Sequence, residues 1–145
     1  AHVTLNYKQF ESAEQLSQKL VEMGGVDVYF DNVGGMITDA VLLSINLRAR
    51  VVICGQISQY DGGLDEPELA PRLLHHLLYK RATVQGILAR DYTHRMPEML
   101  NHIGHWVKNN EIVFKTTMAD GFESLPDTLS SLFEGKNTGK AIVRL

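Results

Sequence analysis

The chain has 145 residues, 44% apolar and 21% charged, with a formal net charge of -3 at pH 7. Such a composition suits a soluble globular chain with a real core, and the negative balance argues against a nucleic-acid module, which carries a basic face. The lone cysteine, Cys54, excludes an internal disulfide and points to the reducing cytoplasm, while no apolar run approaches the ~20 residues that span a bilayer, so no membrane partner is expected.

In chain order, residues 3–7 read as a short strand. It is already under way at Ala1 without a cap, which favours a chain cut from a longer protein. A helix is predicted over 12–22, where Ala13, Leu16, Leu20 and Val21 recur at helical spacing and Ser12 can cap the first turn. Gly24 and Gly25 end it. Residues 26–30 form a strand by length and β-branched content. Gly34 and Gly35 turn the chain into a helix whose stripe of Ile37, Ala40, Val41, Ser44 and Ile45 runs to about Leu47.

The uninterrupted run Val51, Val52, Ile53, Cys54 places a strand at 50–54, covered on both faces as in a parallel sheet. A loop follows over 56–68, with Gly62, Gly63 and Pro67. Leu73, Leu74, Leu77 and Leu78 then make a helical face, and 82–89 a further strand. Met96, Met99, Leu100, Ile103, Trp106 and Val107 fit the helical period. A strand at 113–118, a helix at 124–134 ended by Gly135, and a strand at 140–145 complete the chain. Strict alternation of this kind predicts an α/β fold with a largely parallel sheet.

In open α/β sheets, ligands bind outside the carboxyl ends of the strands. Three such ends carry suggestive residues: Asp31 to Gly35, Cys54 to Tyr60, and Ile87 with Leu88 and Ala89. Glycines there let a ligand approach the backbone. Turn-making explains any one of them; two consecutive strand ends that pair glycine with polar groups are more than turns require.

The runs N-Y-K at 6–8, V-D-V-Y-F-D-N-V-G-G at 26–35, V-V-I-C-G-Q-I-S-Q-Y at 51–60 and E-G-K-N-T-G-K at 134–140 occur in this order almost end to end. The chain thereby resembles the C-terminal part of zinc-independent medium-chain reductases of the prostaglandin reductase, leukotriene 12-hydroxydehydrogenase and curcumin reductase-like branch. The resemblance implies a partial Rossmann-type fold, doubly wound and mostly parallel. Residues 1–110 would be part of the nucleotide-binding domain, and 111–145 would return to the substrate domain.

It also implies NADP as cofactor and an α,β-unsaturated ketone or aldehyde as substrate, reduced at its C=C bond. Tyr7 would lie near the adenosine side of NADP, and Asn32 would hydrogen-bond the cofactor. Cys54, Gly55, Gln56, Ile57, Ser58, Gln59 and Tyr60 would wrap its nicotinamide half. Ile87, Leu88 and Ala89 would pack beside the nicotinamide ring, and Asn137 would reach the cofactor from the C-terminal segment. Tyr60 is the candidate catalytic residue, shaping the site directly or through the nicotinamide ribose. The family's Gly-rich phosphate loop, and the basic residue expected beyond it for the 2′-phosphate, have no counterpart in the sequence, so NADP rather than NAD rests on the resemblance.

Residues 82–88 carry strong β formers and no charge, and would form an edge strand able to pair with its copy in a homodimer. A different class of function uses the same feature: a non-catalytic, self-associating half-Rossmann module. Other motifs explain less. Gly135-Lys-Asn-Thr-Gly139-Lys140 has three residues between its glycines and Ala141 after the lysine, against four and Ser or Thr in a phosphate-binding P-loop. His102 and His105, with Glu98, lack the further ligands of a metal site, and no metal is expected. Cys54 reads as a small buried apolar residue. None of the five tyrosines has Lys four positions later, the spacing a short-chain dehydrogenase needs.

Overall fold

The computed structural model describes residues 2–60, 69–70 and 72–145. They fall into two compact units, Ala1–Tyr92 and Thr93–Leu145. This division concerns packing within the chain and does not bear on the boundary expected at 110/111 from the resemblance.

The first unit opens on a 3-10 turn, Tyr7–Gln9, where a strand was predicted over 3–7. The reason is local. The Asn6 side chain accepts a hydrogen bond from the Lys8 amide at 3.1 Å, and no neighbouring strand among the described residues offers a ladder to compete with that turn. Helix α1, Ala13–Glu22, is capped by Ser12, which accepts from the Gln15 amide, and buries Leu16. Strand β1, Val26–Asp31, leads into helix α2, Gly35–Ser44.

Helix α2 ends three residues earlier than its apolar stripe suggests. The Ser44 hydroxyl donates back to the Ala40 and Val41 carbonyls, and Ile45 turns extended at φ -64° and ψ 142°. β-branched Ile45 thereby opens strand β2, Ile45–Ile53, and is almost wholly buried. Helix α3, Leu74–Lys80, and strand β3, Thr83–Gly86, follow. Gly62, Gly63 and Pro67 of the expected 56–68 loop lie outside the described residues.

The three strands are parallel in the order β1-β2-β3. Strands added one after another in one direction bring their connecting helices to the same face. Val41, Ile45, Ala49 and Val51 form the core there, with Leu20, Leu42, Tyr29 and Leu77 packed against it. Strand alternation sends Val28 and Phe30 to the opposite face, where they are 65% and 54% exposed.

In the second unit, helix α4, Met96–Lys108, precedes strand β4, Thr116–Asp120. Helix α5, Leu125–Phe133, then leads to strand β5, Lys140–Arg144, which pairs parallel with β4. Both sheets are parallel, as the alternation predicts, but they are separate. No helix among the described residues is long and apolar enough to cross a membrane.

One contact fixes how α1 hands over to the sheet. The Asn46 amide donates to the Gly24 carbonyl at 2.9 Å and to Asp27 Oδ1 at 3.0 Å. Gly25 lies beneath that side chain at φ +75°, and a Cβ on it would collide with the Asn46 amide. Gly25→Ala therefore combines left-handed backbone strain with a clash and should destabilise the fold by about 2 kcal/mol. A lower melting temperature in thermal unfolding, with unchanged strand and helix content by circular dichroism, is the expected result.

Candidate functional site

The carboxyl ends of β1 and β2 are knit into one structure by a residue without an assigned role in the sequence reading. Asp31, the last residue of β1, is fully buried. Its Oδ1 accepts from the Val33 amide at 2.8 Å, the Gly34 amide at 3.0 Å and the Tyr29 hydroxyl at 2.9 Å. Its Oδ2 accepts from the Thr38 hydroxyl of α2 at 2.5 Å. A lone buried carboxylate is very costly; four donors make this one tenable.

Burial acts to raise the Asp31 pKa. The Thr38 hydroxyl, the Gly34 and Val33 amides and the Tyr29 hydroxyl together outweigh it and hold the carboxyl below its ordinary range. Tyr29 is pushed up to about 12, first by burial and further by the Asp31 carboxylate, with the Thr38 hydroxyl opposing.

Three consecutive carbonyls then carry the second loop. The Asp31 carbonyl accepts from the amides of Cys54 at 2.8 Å and Gly55 at 3.1 Å, and that of Asn32 from Ile57 at 3.2 Å. Val33 accepts from the Ser58 amide at 3.0 Å and the Ser58 hydroxyl at 2.6 Å. The loop is in effect laid along the 31–33 turn. A short 3-10 turn, Ile57–Gln59, brings Tyr60 back so that its hydroxyl accepts from the Gln56 amide at 3.3 Å. This return needs Gly55: a Cβ there would lie 3.2 Å from the Asn32 carbonyl oxygen and 3.3 Å from the Tyr60 hydroxyl.

Asn32 and Cys54, Gly55, Gln56, Ile57, Ser58, Gln59 and Tyr60 are thus drawn together at one sheet end. Asn32 is exposed, and Tyr60 is 57% exposed. Ile87 joins the same edge through its amide, which donates to the Ile53 carbonyl at 2.9 Å, and Leu88 follows it. Ala89 opens a 3-10 segment, Ala89–Arg95. Tyr7 is exposed in the 3-10 turn Tyr7–Gln9, and no hydrogen bond ties it to the strand ends. Asn137 belongs to the second unit, where its amide donates to the Gly139 carbonyl at 2.8 Å.

Asp31, Tyr29 and Thr38 were the residues missed. Their signal was an Asp two and three residues ahead of the amides of a Gly-containing turn, with a hydroxyl one helical turn further on. No group of three or more His, Cys, Asp or Glu side chains able to hold a metal occurs among the described residues.

The parallel β-α order with a polar structure at the strand ends defines a Rossmann-type α/β fragment. No family model matches the chain. It is 38% identical over 146 residues to the NADPH-dependent curcumin reductase of Escherichia coli, covering 99% of this chain and 42% of that protein. It is likewise 38% identical over 138 residues to the NADP(+)-dependent 2-alkenal reductase of Nicotiana tabacum, covering 95% and 39%. The crystal structure of CurA from Vibrio vulnificus in complex with NADPH superposes with a TM-score of 0.77 at 38% identity, over 92% of this chain and 41% of that one. The chain thus spans about two fifths of the length of the relatives it matches. It is homologous to the C-terminal part of the medium-chain reductase family.

The depressed Asp31 pKa has a definite stability signature. A carboxyl lowered on folding contributes stability above its unfolded value, about 4, and that contribution is lost as pH falls through the folded value. Asp31→Asn should therefore lower the melting temperature at neutral pH, and the gap to the unmutated protein should narrow below about pH 4. Melting curves across that pH range, giving a constant gap, would contradict the assignment.

Proposed function

We propose that the complete gene product carrying this chain reduces the C=C bond of α,β-unsaturated ketones or aldehydes with NADPH. The observation that carries this reading is the match of nearly the whole chain to an NADPH-dependent curcumin reductase in sequence, and to CurA crystallised with NADPH in fold, beside a strand-end structure formed by Asn32 and residues 54–60.

The donor set fits the nicotinamide half of such a cofactor. The Asn32 side chain stands exposed at the end of β1, and its amide, able to donate and accept, forms no hydrogen bond with the described residues. The Tyr60 hydroxyl accepts from Gln56 and so keeps its own proton for another partner. Exposed Ile57 and Leu88 supply apolar surface for a planar ring. Tyr7 and Ala89 complete the set of cofactor contacts proposed within this unit.

Bound NADPH would supply a hydride to the β-carbon of the enone. Negative charge then develops on the carbonyl oxygen, and a donor aimed at that oxygen lowers the barrier. Tyr60 is the residue we assign to this region, as the donor itself or as the holder of the nicotinamide ribose. Solvent delivers the proton to the α-carbon. We place the protein in the cytoplasm, where the Cys54 thiol stays reduced.

The test is NADPH oxidation by the purified gene product with trans-2-hexenal or 3-penten-2-one, with products identified by mass spectrometry. The saturated carbonyl compound is expected. An allylic alcohol, or no turnover of any enone, contradicts the proposal. Asn32→Ala should weaken NADPH binding about fivefold, the worth of one hydrogen bond, with little change in melting temperature. Tyr60→Phe should lower kcat/KM about tenfold, and an unchanged value would leave the ring alone as its contribution.

We further propose a homodimer through β3. It is the last strand of its sheet, every residue in it is exposed, and among the described residues its outer edge is unpaired. An antiparallel pairing across a two-fold axis would continue the sheet into a second copy. Sedimentation of the gene product should show a dimer, and Val84→Pro, which removes a backbone donor, should shift it toward monomer. A monomer before mutation, or a folded Val84→Pro variant that dimerises as before, contradicts this assembly.

A further inference from the structure

We infer that Asp31 is a positioning residue for the cofactor: its buried carboxylate sets the shape of the surface on which the nicotinamide half is held, without touching it. The inference rests on the proposed NADPH reading and deepens it.

The geometry has two parts. The carboxylate gathers the Val33 and Gly34 amides, the Tyr29 hydroxyl and the Thr38 hydroxyl, so it fixes the 31–34 turn relative to α2 and to the middle of β1. The carbonyls of Asp31, Asn32 and Val33 then receive the amides of Cys54, Gly55, Ile57 and Ser58. Each residue proposed to face the cofactor from these two loops hangs from that turn. Asn32 is adjacent to Asp31, and Gly55 lies so close to both the Asn32 carbonyl and the Tyr60 hydroxyl that a side chain on it would crowd them. A tilt of the turn moves the Asn32 amide and the Tyr60 hydroxyl together.

The carboxylate cannot act by contact. It is fully buried, and four donors occupy it. Both anionic oxygens are needed, because Oδ1 serves the turn and Oδ2 serves α2. An amide in its place would present NH2 to donors on one of those sides. Thr38 is the second member of the device. Its hydroxyl donates to Oδ2, and its distance from the Tyr29 hydroxyl, 3.4 Å, closes a three-residue ring of polar contacts beneath the loop.

The experiment uses the complete gene product with Asp31→Asn, Thr38→Val and Thr38→Ser, reading the NADPH dissociation constant by fluorescence titration, the KM for trans-2-hexenal, and the melting temperature. All titrations are run well below the melting temperature of the least stable variant. Asp31→Asn should raise the NADPH dissociation constant about tenfold, and Thr38→Val about threefold, the scale of one or two hydrogen bonds. Thr38→Ser, which keeps the hydroxyl, should bind NADPH like the unmutated protein. The KM for the enone should stay within about twofold.

A purely structural Asp31 predicts a different pattern: lower melting temperatures for Asp31→Asn and Thr38→Val with unchanged NADPH binding, and that result overturns the inference. Should Asp31→Asn not fold, the Thr38 pair decides on the same criterion. An unmutated protein that folds and binds no NADPH removes the cofactor reading itself, a failure visible before any variant is compared.

Discussion

A buried carboxylate at the end of a parallel strand is the constraint on which this unit is built. Asp31 is removed from water at the point where β1 turns into α2, and an isolated charge there would not be tolerated. The chain answers with two amides from the following turn and two hydroxyls, one from β1 and one from α2. The same residue's carbonyl receives the first amides of the loop after β2. Strand, helix and two loops are therefore coupled at a single position. Because the donors come from three places, the turn, the strand and the helix, the turn has one conformation that satisfies them all.

That coupling explains how an exposed surface can be well shaped. Asn32, Ile57 and Tyr60 all face solvent, and exposed loop residues are ordinarily free to wander. Here their backbones are pinned by a hydrogen-bond ladder that continues the sheet pairing beyond the strands, from Asp31 through Val33 on one side and from Cys54 through Ser58 on the other. Ligand sites on rigid elements hold geometry better than sites on free loops, and this ladder gives loop residues the stiffness of strand residues. Helices α1, α2 and α3 turn apolar residues to one face of the sheet and leave Val28 and Phe30 on the other exposed.

Much of this was legible in the sequence. The helix capped by Ser12, the strands around 26–30 and 50–54, and the parallel α/β class follow from period, caps and glycine punctuation. The strand ends Asn32 and 54–60 could be singled out because glycine and polar residues coincide there. Three things escaped. Residues 3–7 have strand composition, but Asn6 offers its own side chain to the Lys8 amide and no partner strand among the described residues lies beside them. Ile45 continues a helical stripe by period, yet Ser44 closes the helix by bonding back to the preceding turn, and Ile45 serves the core as strand. Asp31 reads as a loop acid because burial of a charge depends on donors that converge only in three dimensions: Thr38 is seven residues away, and its hydroxyl reaches Asp31 only once α2 has formed.

The most direct test of the account is a crystal structure of the complete gene product with NADPH. The nicotinamide half is expected against Asn32 and residues 54–60, with Asp31 beneath them, still buried, bonded to Val33, Gly34, Tyr29 and Thr38 and out of contact with the cofactor. Nicotinamide density away from these strand ends, or an Asp31 carboxylate turned out to touch the cofactor, would contradict it.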